Sequence, residues 1–296
     1  MATTGPSPRQ KLRARLTSGP LIVAPGIYDA YGARLVERAG YEAVYMTGNG
    51  VSASLLGRPD VGLVDLTLFA QHAHRAAACV GIPLICDADT GYGNAVNVKR
   101  TVEEFEAAGV AAIHIEDQVA PKRCGHLPGA RPVIELGEAV GKIEAAVAAR
   151  RDPDFTIIAR TDAAGAHGLD EAIKRGQAFR SAGADVIFVE LKTGATILDD
   201  LKRVTASVAA PCLVNIDGGG VLGDLTASEI ERLGFRIAIF PGLARSVAGF
   251  AIREALAALK RDGNVKALRG RMLSLQEYNA VIGLAEVEEW EKNYLR

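Results

Sequence analysis

Asp87-Ala88-Asp89-Thr90-Gly91-Tyr92-Gly93 is followed closely by Ile115-Glu116-Asp117-Gln118 and then by Lys122-Arg123-Cys124-Gly125-His126. Acidic side chains fall just after two apolar runs, 82–86 and 111–115, and a cysteine then stands among cations. Carboxylate oxygens suit a hard divalent cation, and a thiol beside Lys, Arg and His is helped to lose its proton. These residue types at this spacing point to a metal-assisted active site with a reactive thiol.

Asp87 and Asp89 are two apart, so in an extended segment they share a side, and Glu116 ends the next strand. Such carboxylates repel unless a cation or protons neutralise them, and oxygen-only ligation suits Mg2+ or Mn2+ with several waters retained. The bland role for Asp89 is to cap a helix beginning near Asn94. His114, two residues before Glu116, reads as a hydrogen-bonded core histidine rather than a ligand. Lys122, Arg123 and His126 lie within two residues of Cys124 and favour its thiolate, which permits proton transfer or nucleophilic attack near neutral pH. Gly125, Pro121, Pro128 and Gly129 shape a loop able to close over a ligand. Arg160 offers a planar fork to a substrate carboxylate, with Asp162 orienting or neutralising it. The set suits chemistry on an anionic oxyacid, and leaves open which bond breaks.

These residues need a scaffold that gathers them. β-rich runs recur at 21–24, 43–46, 83–86, 111–115, 155–159, 185–189, 212–214 and 236–240, and helix-forming segments follow, among them 65–79, 96–108, 137–150, 170–182 and 246–260. This alternation predicts an α/β fold, a (β/α)8 TIM barrel occupying 1–296 as a single domain, with 246–296 its C-terminal helical part. An open doubly wound sheet is the runner-up, but Gly91-Tyr92-Gly93 lacks the third glycine of a dinucleotide fingerprint and follows the third strand. Gly40, Gly81, Gly109, Gly183 and Gly234 read as helix stops, which fix the phase of the alternation. Gly26, Thr47, Asp87, Glu116, Arg160, Glu190, Asn215 and Pro241 then lie at C-terminal strand ends, the face where barrel active sites form. Glu190 and Asn215 are accordingly assigned to the substrate.

The 296 residues are 49% hydrophobic with a formal net charge of -1, which gives no electrostatic case for nucleic acid or an acidic membrane. Cysteines 79, 86, 124 and 212 match no zinc spacing, and Cys86 and Cys212 sit in apolar runs as buried thiols. No run approaches a membrane span and residues 1–15 lack a secretory apolar core, so a reducing cytoplasm is expected. Beyond the eighth helix, Leu275, Tyr278, Val281, Ile282, Leu284, Val287 and Trp290 form a surplus apolar surface, broken at Gly283, that covers the barrel end or packs on another subunit.

Lys122-Arg123-Cys124-Gly125-His126-Leu127 resembles the isocitrate lyase signature, and the segments 87–93 and 115–118 resemble the Mg2+ motifs of the isocitrate lyase and phosphoenolpyruvate mutase superfamily. The similarity runs from about Pro25 to 284–295. It implies a barrel whose eighth helix is exchanged between subunits, usually in a homotetramer built as a dimer of dimers. It implies Asp87 as direct Mg2+ ligand, Asp60, Asp89 and Glu116 holding metal-bound waters, and Thr47, Gly48 and Asn49 binding the oxoacid carboxylate, with threonine where many relatives carry serine.

Lyases of that superfamily use the cysteine of the signature as a general acid, so Cys124 implies carbon-carbon cleavage of a 2-hydroxy di- or tricarboxylate to an oxoacid and an enediolate that Cys124 protonates. Tyr45 is the candidate for the initial base, its ring otherwise walling the pocket. Asn215-Ile216-Asp217-Gly218-Gly219 is similar to the branch acting on 2-alkylmalates and oxaloacetate rather than to typical 2-methylisocitrate lyases. Oxaloacetate decarboxylation or hydrolysis, phosphonate chemistry and a non-enzymatic oxoacid sensor are the alternatives.

Overall fold

The computed structural model describes residues 5–125, 127, 131–191, 194–216 and 219–295. His126, Pro128, Gly129, Asp217 and Gly218, all singled out above, lie outside them. Eight parallel strands, β1 (Ile22–Ile27), β2 (Val44–Met46), β3 (Leu84–Asp87), β4 (Ala112–Glu116), β5 (Thr156–Thr161), β6 (Val186–Val189), β7 (Cys212–Asn215) and β8 (Ile237–Phe240), close in sequence order into a barrel. The fold is a (β/α)8 TIM barrel, so the open-sheet alternative falls. Each expected run is a strand, its bounds shifted by at most three residues, as where β1 runs on to Ile27.

Alternation along each strand divides the interior into two cores. Ile113 and Ile115 of β4 point outward and pack with Phe69, Phe105, Phe155 and Phe179 beneath the helices. Ala112 points inward and meets Ile85, Ile158, Phe188 and Ile237 along the barrel axis. Register completes the arrangement at the upper end, where Asp87 faces His114 and Glu116 faces Arg160 across neighbouring strands. Four charged or polar groups from β3, β4 and β5 thereby meet at one mouth.

The helices Leu66–Ala77, Ala95–Ala107, Leu136–Ala149 and Leu169–Ser181 lie where expected. Asn94, not Asp89, caps the second of these, its side chain accepting from Val96 N and Asn97 N. A helix not read from sequence, Pro8–Thr17, starts at a Ser7/Gln10 capping box and adds Leu12 and Leu16 to the inner core. Arg9 Nε donates to Val110 O at 2.9 Å and Lys11 Nζ to Gly81 O at 2.7 Å. Those carbonyls precede β4 and β3, so this helix closes the barrel at the end opposite the mouth.

The 20-residue helix Leu243–Asp262 buries only Ala258 and exposes Val247, Phe250, Ile252 and Leu256. Helices Leu275–Ile282 and Leu284–Tyr294 follow, parted at Gly283 (φ 79°). The first rests on the helix Ala30–Arg38, with Arg38 donating to Ala280 O at 2.8 Å. Leu275, Val287, Trp290 and Tyr294 remain exposed. Among the described residues no helix is long and apolar enough to cross a membrane.

Candidate active site

A cavity of about 320 Å³ opens at the C-terminal ends of the strands. Strand residues Tyr45, Asp87, Glu116, Arg160 and Asn215 line it, joined by Thr47 and Asn49 at the start of the helix Gly48–Leu56 and, from loops, by Asp60, Lys122, Cys124 and Glu190. Most of the residues selected from sequence therefore converge. Gly48 borders the same space: its N–H donates to Asp87 Oδ2 at 3.2 Å, and a Cβ there would lie 2.6 Å from that oxygen, so only glycine allows this approach. Asp89 departs from the expected pattern. β3 ends at Asp87, Asp89 has φ 47°, and its carboxylate belongs to an adjoining cavity rather than to a shared strand face.

The carboxylates differ sharply in state. Burial opposes ionisation of Asp87, yet its carboxyl is held at about 2. His114, itself lowered to about 4 by burial, is uncharged at neutral pH, so Lys122, Arg160 and the Asp89 N–H (2.9 Å) hold the Asp87 charge. Burial instead raises Asp89 to about 7, raises Asp60, and pushes Glu116 well above the usual range. Lys122 Nζ sits 2.6 Å from Asp60 and 2.7 Å from Asp89. Despite burial, these acids raise its pKa well above the ordinary value, so it stays a cation. The expectation that Lys122 attends the thiol is thus corrected: its ammonium is bound among the acids.

Arg160 also differs from expectation. Its Nε and Nη2 bind the two oxygens of Asp162 at 2.9 and 3.0 Å, so the side-on fork reserved above for a substrate carboxylate is occupied. Nη1 reaches Glu116 Oε2 at 3.2 Å, and the guanidinium lies 5.0 Å from the Phe188 ring centroid. Asp162 is held in turn by Arg131 and through its N–H by Asp117 (2.9 Å), which also accepts from Thr161 and Arg175. Sequence reasoning missed Arg131 and this Asp117 support. Asp117 stood beside Glu116 in the motif, where strand alternation already turned it away from the mouth.

Tyr45 is buried, its hydroxyl lies 2.8 Å from His114 Nε2, and desolvation raises its pKa well above that of a free phenol. A phenol so reluctant to ionise fits the wall of the pocket rather than the base. His114 is the hydrogen-bonded core histidine expected. Cys124 is half-buried, and Asn49 Nδ2 donates to its sulfur at 3.1 Å. Asn49 was assigned to the oxoacid carboxylate; here its amide is on the thiol, where a donor favours the charge left after the proton departs. No disulfide joins the four cysteines, and Cys86 and Cys212 are buried.

The donor set fits a hard cation. Among the described residues, Asp87 is ionised with only backbone donors hydrogen-bonded to its oxygens, and Glu116 Oε1 is buried without a hydrogen-bond partner. Among the described residues no three His, Cys, Asp or Glu form a closed cage. Mg2+ usually takes one or two carboxylates plus waters and substrate, so an open cluster suits it.

Residues 12–260 match the family model of phosphoenolpyruvate phosphomutase. The chain belongs to the phosphoenolpyruvate mutase/isocitrate lyase superfamily. It is an enzyme of that superfamily, and relatives named as lyases are among those similar to it. It is 45% identical to 2,3-dimethylmalate lyase of Eubacterium barkeri, covering 96% of this chain and 97% of the relative. It is 39% identical to 2-methylisocitrate lyase of Aeropyrum pernix, covering 94% and 88%. Oxaloacetate acetylhydrolase in complex with 3,3-difluorooxalacetate superposes with a TM-score of 0.90 at 38% identity, covering 97% of each chain. Phosphonopyruvate hydrolase solved with oxalate and Mg2+ superposes with a TM-score of 0.89 at 33% identity, covering 98% and 100%.

Proposed function

We propose that the enzyme is a Mg2+-dependent carbon-carbon lyase that cleaves a 2-hydroxy dicarboxylate of the 2-alkylmalate type to an oxoacid and a carboxylic acid. The observation that carries this reading is a thiol, held by Asn49, opening on the same cavity as the ionised Asp87. Held directly by Asp87, with Asp60, Asp89 and Glu116 on its waters, Mg2+ would supply a Lewis acid to the hydroxyl and carboxylate oxygens of the substrate. The Thr47 hydroxyl makes no helix-capping bond and lines the cavity, so it is available to a carboxylate oxygen.

Cleavage begins with loss of the hydroxyl proton. With Tyr45 unsuited, Glu190 is the lining carboxylate not assigned to the metal, and burial raises its pKa and so its basicity. The carbon-carbon bond then breaks, the carbinol carbon becoming the carbonyl of the oxoacid. Its electron pair passes to the carbon bearing the second carboxylate, which leaves as an enediolate. Lys122 and Arg160 provide positive potential for that dianion, and Cys124 gives its proton to the carbon, leaving a thiolate beside the Asn49 amide.

Lys122, Arg131 and Arg160 are already paired with carboxylates, while Phe188, Leu191, Leu222, Ile239 and Pro241 give the cavity an apolar wall. This favours an alkyl-substituted dicarboxylate over a tricarboxylate, as does similarity to the dimethylmalate enzyme. Turnover with Mg2+ of 2-alkylmalates, 2-methylisocitrate, isocitrate and oxaloacetate is expected to give the highest kcat/KM for a 2-alkylmalate, and chelation is expected to abolish it. Likeness to oxaloacetate acetylhydrolase supports the second reading, hydrolysis of oxaloacetate, which preferential turnover of that compound would establish instead.

We also propose that the apolar C-terminal surface is covered by a second copy through exchange of its helices, the dimers pairing into a tetramer, in a reducing compartment such as the cytoplasm. Trp290 and Val287 are 68% and 52% exposed, an apolar display that marks an association surface. The double substitution Trp290→Glu with Val287→Glu is expected to shift the mass in solution, measured by light scattering, to a smaller species. A wild-type monomer at micromolar concentration would remove the proposal.

A further inference from the structure

We infer that Arg131 is a positioning residue for Cys124: its guanidinium, tied to Asp162, is the surface on which the backbone beside the thiol rests. The inference deepens the lyase reading and rests on it, since Cys124 is there the general acid whose place must be fixed. The two ends of the thiol-bearing loop are already tied at their base, where Val119 N donates to Pro132 O at 2.8 Å and Ile134 N to Asp117 O at 2.9 Å. Arg131 is not needed for that. Its side chain instead enters the wall of the active-site cavity, where the residue is only 9% exposed and Nη1 donates to Asp162 Oδ1.

Asp162 is satisfied without it, because Arg160 already meets both carboxylate oxygens at 2.9 and 3.0 Å. The second guanidinium has another task. Gly125 approaches it so closely that a Cβ there would stand 3.1 Å from Arg131 Nη1 and 3.7 Å from Glu190 Oε1. Gly125 does not lie in the left-handed region, so the space beside Arg131 calls for glycine and the backbone angle does not. Cys124 itself donates its N–H to Asp60 O at 3.1 Å, and its sulfur accepts from Asn49 at 3.1 Å. Both supports follow β2. Arg131 adds one from the other side of the mouth, because Asp162 directly follows β5. A thiol supported from one side alone could shift toward or away from the carbon it protonates, and a misplacement of about 1 Å can cost about 100-fold in rate.

Hydrogen exchange of Arg131→Met, read by mass spectrometry, tests the placement without any substrate. The amides of Arg123, Cys124 and Leu127, bonded to Gln118 Oε1, Asp60 O and Cys124 O, are expected to exchange about tenfold faster or more. Those of Val119 and Ile134 at the base should keep their protection, and the melting temperature should hold because Asp162 retains Arg160. Unchanged exchange in the loop would overturn the inference. In kinetics on the best substrate, Arg131→Met and Gly125→Ala are each expected to lose about 10- to 100-fold, in kcat more than in KM. The double variant should lose hardly more than Arg131→Met alone, since the added methyl then meets no guanidinium. Losses that multiply would show that the two residues act separately and would likewise overturn it. Faster loop exchange together with a fully active Cys124→Ser enzyme would instead break the lyase reading and leave the placement of the loop standing.

Discussion

A Cys124→Ser enzyme is expected to bind Mg2+ and an oxoacid product as the wild type does, and to cleave its best substrate about 10² to 10⁴-fold more slowly, the range for a general acid. The substitution is nearly isosteric, and Cys124 N still donates to Asp60 O at 3.1 Å, so the loop keeps its anchor. What changes is acidity: a serine hydroxyl surrenders its proton far less readily than a thiol, even with the Asn49 amide directed at it. Alkylation of the thiol should likewise inactivate, with an oxoacid product protecting. Decarboxylation of oxaloacetate asks nothing of this thiol in the bond-breaking step, whereas hydrolysis to oxalate and acetate, like lyase cleavage, releases an enediolate whose carbon must be protonated. A serine enzyme cleaving at the wild-type rate would therefore discard the lyase mechanism.

Asp87→Asn should lose about 10³-fold or more in kcat/KM, equivalent to about 4 kcal/mol of transition-state stabilisation. Asp87 is the acid of the cluster held ionised at about 2, whereas Asp89 lies near 7 beside Lys122. Asn at 87 removes a full negative charge and sets an amide N–H against the backbone donors of Gly48 or Asp89. Asn at 89 leaves Lys122 still paired with Asp60, so its loss should be nearer 10- to 100-fold. Metal titrations of both variants, read by turnover and by calorimetry, separate the roles. Equal losses would show that Asp87 has no special place in ligation.

The eight strands were legible because strands buried on both faces read as apolar runs, and the residues closing those runs carried the mouth of the site. The helix Pro8–Thr17 was not, since it buries only Leu12 and Leu16 and is held largely by arginine and lysine contacts to distant carbonyls. Spacing placed Asp89 on a strand that had already ended, because no pattern in the sequence announces a left-handed residue other than glycine. Neighbourhood in sequence joined Lys122 to Cys124, whereas the fold joins it to Asp60, far along the chain. Arg160 and Asp162 were paired correctly as types. That Asp162 takes two nitrogens of the guanidinium while the third reaches Glu116 depends on packing between neighbouring strands that periodicity does not specify.

The helix Pro8–Thr17 has a practical consequence for handling the enzyme. It seals the barrel at the far end from the catalytic mouth, so a tag, a fused carrier or a solid support attached ahead of Ser7 would leave substrate entry unobstructed. The same attachment placed after Tyr294 would sit among the exposed Trp290, Tyr294 and Leu295, on the surface proposed above to meet another copy. Immobilised preparations should therefore retain their specific activity when anchored at the first end and lose it, together with their assembly, when anchored at the other.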